Sequence, residues 1–283
     1  MKKLIIFLSI LIFVGCSTLP DYIESQSVMD ANDTMQRAQD AEEEGLYTQA
    51  LHLYENAFDL YSGVDNIKGI IISGIAIVRQ YYYLEDMQTY QQWLTKIDTI
   101  IESEHSNLMV LKVLLMMEVA FDQEDYSQVL MLSKLAQTDN KEYNTEVQCY
   151  RLLSLLKSDQ SYEEEFEIID KNLGSLKRMF NKNKLNDPKI VSYAAYTLGY
   201  ALSRQQKWLD AIEYFEEAHH YDQLIENESG LADDVYVMGI CYQNLGDKER
   251  ALSAFIRAKE MYENLLDEGM SAAAQQKIDS LTK

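Results

Sequence analysis

A small residue, a turn, an alanine, an aromatic and another alanine return along this chain at nearly fixed spacing. That recurrence limits the fold more than any other feature. One instance runs Gly239, Tyr242, Gly246, Ala251, Phe255, Ala258; a second runs Gly199, Trp208, Ala211, Phe215, Ala218; a third runs Ala38, Gly45, Tyr47, Ala50, Tyr54, Ala57. The offset from Gly45 to Gly246 also separates Ala50 from Ala251, Tyr54 from Phe255 and Ala57 from Ala258. A unit reused in this way buries its apolar face against copies of itself, so the expected fold is an open stack with a long inner surface.

The unit is helical. Only 2 prolines occur in 283 residues, Pro20 and Pro188, and neither interrupts a periodic stretch. Apolar residues recur at three and four, as in Leu46-Ala50-Leu53-Tyr54-Ala57 and Leu209-Ile212-Phe215-Ala218, while period-two alternation is absent. Small residues allow two helices to approach closely, and the aromatics fill the space beside the crossing.

These residues resemble the tetratricopeptide repeat, whose signature describes two antiparallel helices in about 34 residues. Met238-Gly239 and Tyr242 match its first helix, and Ala251, Phe255 and Ala258 its second. Leu198-Gly199 and Ala211, Phe215 and Ala218 match likewise, with Leu202 in place of the tyrosine. In the first copy Ala38 and Ala41 stand where Gly and Tyr would be. The signature's terminal proline is missing throughout. Weaker copies fall near residues 71–104, 110–143 and 146–179, with Asp125-Tyr126, Val129 and Ala136 in the middle one and Tyr162, Phe166 and Ile169 in the next. The resemblance implies an all-α, right-handed superhelical solenoid of about six helix pairs. Residues 27–180 would hold degenerate repeats and 188–283 clearer ones. Two polar seams, 181–187 and 226–230, interrupt the stack, the first ending in Asp187 as a helix cap with Pro188 in the first turn. Gly269-Met270-Ser271 opens a C-terminal capping helix.

The N-terminus carries a separate message. Lys2 and Lys3 precede an apolar run, Leu4 to Val14, too short to cross a bilayer of ~30 Å as a helix. This is the shape of a secretory signal peptide over residues 1–15. It ends in Phe13-Val14-Gly15-Cys16, which resembles the lipobox of bacterial lipoproteins. Lipidation of Cys16 would anchor the chain through a tether at 16–26; by resemblance to proteobacterial lipoproteins, Ser17 after the cysteine implies the outer membrane, facing the periplasm, with the inner membrane as the alternative. Phe13 departs from the usual lipobox residue, and a secreted protein without lipid is the alternative.

The formal charge of -21 falls further once Lys2 and Lys3 are removed. Such a surface repels nucleic-acid phosphates and anionic headgroups, which excludes a nucleic-acid role. The remaining cysteines, Cys149 and Cys241, sit in helical patterns and read as buried free thiols.

No catalytic constellation can be assembled, and no cofactor is expected. Glu217 and His220 have a spacing used by metal ligands on one helix face, but a second such pair is missing. Gly69 and Gly74 lie in an apolar run and read as close packing; Glu42-Glu43-Glu44 and Glu163-Glu164-Glu165 read as solvated faces. The more informative set is aromatic. In the resembled fold the first helix of each pair lines the concave face, which implies Tyr193, Tyr196, Tyr200 and Arg204 there, with Tyr236 and Gln243 in the next unit and Tyr82, Phe121 and Tyr150 extending it backwards. Tyrosine joins apolar area to a polar tip, which suits binding; the alternative is that these rings pack between repeats. The expected role is a non-catalytic, membrane-anchored scaffold holding a segment of an envelope protein or membrane complex. The alternative is an accessory subunit handling a small molecule beside a solute transporter, for which a large apolar cavity inside the stack is the discriminating feature.

Overall fold

The computed structural model describes residues 25–104 and 107–282. The signal-peptide and lipidation readings at 1–16, and most of the tether, lie outside them. Ser25 caps the first helix through a hydrogen bond from the Val28 amide, so the helical array begins within the expected tether.

Among the described residues there are thirteen α-helices and no strand. They form six antiparallel pairs and a last single helix. The pairs are α1 (Gln26–Glu43) with α2 (Tyr47–Gly63), α3 (Ile67–Tyr83) with α4 (Met87–Ser103), and α5 (Met109–Asp122) with α6 (Tyr126–Ser133). Then come α7 (Lys141–Lys157) with α8 (Glu163–Phe180), α9 (Lys189–Arg204) with α10 (Trp208–Leu224), α11 (Glu228–Asn244) with α12 (Lys248–Asn264), and finally α13 (Glu268–Thr282). No helix among the described residues is long and apolar enough to cross a membrane.

The recurrent motif is the crossing of each pair. Ala211, Phe215 and Ala218 of α10 and Ala251, Phe255 and Ala258 of α12 are fully buried. A Cβ on Gly199 would come within 2.8 Å of the Phe215 ring, and one on Gly239 within 2.8 Å of the Phe255 ring, so neither position tolerates a side chain without displacing the partner helix. Burial of each phenylalanine contributes about 2–3 kcal/mol. Gly74 plays the same part against Ile97 of α4, and Gly69 does so between pairs, against Tyr61 of α2.

Eight connections share one three-residue turn. Its middle residue has a positive φ: Gly45, Asp65, Glu85, Glu124, Gln206, Glu226, Gly246 and Leu266. The amide after it returns to a carbonyl five residues back, as in Asn66 to Tyr61, Asp125 to Ala120 and Asp247 to Tyr242. This is the Schellman closure of a helix. The third residue is often Asp or Asn, whose side chain caps the next helix: Asp86 takes the Thr89 amide at 3.1 Å and Asp247 the Arg250 amide at 3.0 Å. The same joint serves within pairs and between them. Residues 226–230, expected as a seam, are such a turn followed by the start of α11.

Other details depart from the sequence reading. The pairs begin a few residues earlier than expected. The third pair is shorter than 34 residues because α6 has only 8. Gly269 to Ser271 lie inside α13, whose break is the turn at Leu266. Leu209 is 65% exposed, so the α10 stripe begins at Ile212. The 181–188 connection is tied down: Glu142, 4% exposed, accepts from the Asn186 amide at 2.8 Å, the Asn186 side chain at 2.9 Å and the Asp187 amide at 3.0 Å. Asp187 in turn caps α9 by accepting from the Lys189 amide at 2.9 Å. The core runs through this region, with Cys149 and Leu152 of α7, Ile169 of α8 and Val191 and Ala194 of α9 in one cluster.

Candidate functional site

The first helices of successive pairs touch one another in series: α3 with α5, α5 with α7, α7 with α9, α9 with α11. The second helices do not pack on one another to that extent. First helices therefore lie on the shorter, inner arc and line the concave face.

The strongest polar cluster on that face comes from three pairs. Arg79 of α3 donates from Nε to Glu118 of α5 at 3.1 Å and lies 3.7 Å from Glu42 of α1. The Tyr83 hydroxyl donates to Glu118 at 2.8 Å, and the Tyr54 hydroxyl to Glu42 at 2.5 Å. Burial opposes the Arg79 charge, but Glu118 and then Glu42 more than offset it and hold the guanidinium firmly protonated. Both tyrosine hydroxyls are pushed up, first by burial and then by their glutamate partners. Glu42 is thus a groove residue, and Glu165, only 4% exposed, binds Arg151 at 2.6 Å. The two glutamate runs are not simply solvated faces.

Deeper along the groove Glu146 of α7 faces Arg79, Asp187 and Glu118. Its carboxyl is pushed up to about 7, chiefly by burial, with Arg79 opposing and Asp187 and Glu118 reinforcing. Beside it runs a row of rings from three first helices. Phe121 of α5 meets Tyr150 of α7 at 5.8 Å, and Tyr150 meets Tyr193 of α9 at 6.4 Å. Burial first, and neighbouring groups second, hold both tyrosine hydroxyls well above their ordinary range.

The structure brings together some of the expected residues and separates others. Tyr150 and Tyr193 meet. Tyr82 stands at the end of α3 against Tyr83 and Tyr90, at 5.8 and 6.3 Å, and remains part-exposed. Tyr196 packs on Phe215 at 5.5 Å, and Tyr236 on Phe255 at 5.6 Å and Tyr262 at 6.2 Å; these two rings buttress their own helix crossing. Tyr200 lies part-buried between the clusters of the fifth and sixth pairs. Arg204 is exposed at the end of α9 and Gln243 part-exposed at the end of α11, neither in contact with the ring row. Sequence reasoning missed Arg79, Glu118 and Glu146, because each comes from a different pair and no local spacing connects them.

Carboxyls also meet between the fifth and sixth pairs. Asp222 of α10 and Asp234 of α11 are 3% and 1% exposed and interact with one another, and neither Asp234 carboxyl oxygen accepts a hydrogen bond from the described residues. Asn227 donates to Asp222 at 2.9 Å. Asp234 is pushed up to about 9, by burial first and then by Asp222 and Asp233. At that value Asp234 keeps its proton at neutral pH.

Neither Cys149 nor Cys241 forms a disulfide; both are buried. Among the described residues no group of three metal-ligating side chains occurs, and Glu217 pairs with Lys177 while His220 packs on Tyr221. A cleft of about 760 Å³ opens beside Leu46, Tyr47 and Leu84, and one of about 330 Å³ between α8 and α10. Both are open surface clefts.

No protein-family pattern matches the chain, and no curated protein does. Solved structures do. The apo form of RapI matches with a TM-score of 0.59 at 12% identity, over 90% of this chain and 69% of that one. A Rap protein complexed with Competence and Sporulation Factor matches with 0.58 at 13%, over 90% and 71%. A Signal Transduction ATPase with Numerous Domains with a tetratricopeptide repeat sensor, from Pyrococcus horikoshii, matches with 0.57 at 16%, over 90% and 39%. At these identities the likeness establishes the fold: this chain is an array of tetratricopeptide-like helical repeats.

Proposed function

We propose that this protein is a non-catalytic scaffold that holds a segment of a partner protein in its concave groove. The observation that carries the reading is the row Phe121–Tyr150–Tyr193, contributed by three successive pairs and bordered by Arg79, Glu118 and Glu146. A surface built from one helix per pair suits an extended or helical ligand crossing several pairs. The fold supports it too, since a similarly folded Rap protein is known in complex with Competence and Sporulation Factor. Both clefts are open to solvent, and neither is a closed apolar chamber of the sort that would favour the small-molecule reading.

The N-terminal sequence supports a bacterial lipoprotein, anchored through Cys16 and facing the periplasm from the outer membrane, so the partner would be an envelope protein. A photo-crosslinking residue at Tyr82 or Tyr200 should capture that partner in intact cells, and one at Glu216, on the exposed face of α10, should not. Equal capture from both faces would remove the groove from consideration. Cys16→Ser should move the protein out of the membrane fraction and abolish labelling with palmitate; retention of both would end the anchor reading.

A further inference from the structure

We propose that Glu146 anchors one cationic side chain, a lysine or arginine, of the segment held in the groove. This rests on the groove reading and names the partner's chemistry. The groove carries more negative than positive charge. Its cation, Arg79, is already committed to Glu118 and Glu42, while Asp187 adds a further carboxyl at the entrance to α9. Glu146 receives no hydrogen bond from any described residue.

Glu146 is part-buried and lies one helical turn before Tyr150 on α7, and a carboxyl partly withdrawn from water with no donor from the protein is costlier to ionise than a free one. The unliganded protein lowers that cost by holding a proton there up to about pH 7. A ligand cation would displace the proton and supply the missing partner. The surrounding rings suit the same guest. Tyr150 on α7 and Tyr193 on α9 present aromatic surface beside the carboxyl, along which the apolar stem of a lysine or the plane of a guanidinium can lie. The ring row also runs past Glu146, through Phe121 on one side, so a chain carrying the cation fills the groove better than a free amine does.

The charged and titratable groups that face Glu146 are Arg79 from α3, Glu118 from α5, Asp187 from the 181–188 connection, Tyr193 from α9 and Tyr143, Cys149 and Tyr150 from α7 itself. Arg79 stays charged through the neutral range; burial also raises Asp187, so the Glu146→Gln variant is what assigns the change to Glu146. Because the ionised form binds the cation, affinity should rise as pH increases through about 7.

The test uses the full-length protein at physiological salt with fluorescein-labelled oligolysine, labelled oligoglutamate of equal length, and spermidine as competitor. Oligolysine should bind and oligoglutamate should not. Glu146→Gln should weaken oligolysine about tenfold, the equivalent of about 1.4 kcal/mol, and flatten its pH dependence, while Glu216→Gln should do neither. Circular dichroism checks that both variants fold; should Glu146→Gln not fold, the pH profile of the unaltered protein gives the same answer. Equal affinity in the two variants, or affinity that falls with rising pH, overturns the anchor. Spermidine binding that depends on Glu146 while oligolysine does not bind also overturns it, in favour of a small amine. Groove crosslinks at Tyr82 and Tyr200 that persist while Glu146→Gln has no effect would sink only the anchor; their loss would sink the groove itself.

Discussion

Lys189, at the start of α9, forms an ion pair with Glu43, at the end of α1, across 146 residues of sequence. The stack therefore curls until its fifth pair meets its first, and the inner face is walled on that side. Both side chains are largely exposed, at 41% and 54%. Exposed pairs contribute about 0–1 kcal/mol, so Lys189→Ala should lower stability by no more than about 1 kcal/mol in urea denaturation. A larger loss would mean that the curl depends on this contact and not on the packing between consecutive pairs.

Glu142 is a different matter. It is buried and accepts three hydrogen bonds from the connection at 186–187. Removing a buried charged acceptor from three part-buried hydrogen bonds costs about 2–3 kcal/mol. Glu142→Ala should cost that much in urea denaturation and make the 181–188 segment the first site of cleavage in limited proteolysis. Unchanged protection there would show that the fastening is held by something else.

Gly239 has no room for a methyl group, with the Phe255 ring at 2.8 Å and the Ala254 Cβ at 3.2 Å from the position a Cβ would take. Gly239→Ala should cost about 1–3 kcal/mol. Thermal denaturation measures it, and a variant as stable as the parent would mean that α11 and α12 can separate freely.

The Asp222–Asp234 pair gives a pH signature. Asp234 is raised to about 9 in the folded protein from an ordinary value of 3.8. Between those values the folded state holds a proton that the unfolded state has released. Its contribution to stability is complete below the unfolded value and is lost as pH rises towards about 9, with a slope of about 1.4 kcal/mol per pH unit per proton. Asp234→Asn should remove this slope and stabilise the protein at pH 8. Burial lowers the pKa of His219 below its ordinary 6.5, so the comparison is made between about pH 7 and 9, above its titration. Parallel pH profiles for variant and parent would contradict the raised pKa of Asp234.

Leu266 sits at the left-handed position of its turn, with φ of 59° and 86% exposure. A residue with a Cβ pays about 1–2 kcal/mol there, of which glycine recovers part despite its greater freedom when unfolded. Leu266→Gly should raise stability by about 0.5–1 kcal/mol; a loss in chemical denaturation would show that the Leu266 side chain packs usefully.

The outer pairs were legible from sequence because their chemistry is local. Gly199 with Phe215 and Gly239 with Phe255 each define a crossing within one unit. The third and fourth pairs were harder because their connections are irregular: α6 stops after 8 residues, and α7 to α9 are joined by longer segments that lack the three-residue turn. The candidate site was half legible. Tyr150 and Tyr193 follow from repeat register. Arg79 and Glu118 meet across 39 residues, and a helical period alone assigns a glutamate such as Glu42 to solvent, since nothing in its own pair announces the guanidinium opposite.

One joint, used alike inside a pair and between pairs, has a consequence for how such a chain can grow. Wherever that joint recurs, two consecutive helices that begin after one left-handed residue and end at another, such as those between Gly45 and Glu85 or Glu226 and Leu266, carry matching ends. Gene duplication could splice in or delete such a cassette without inventing a new corner, which lengthens or shortens the trough while leaving each remaining crossing intact.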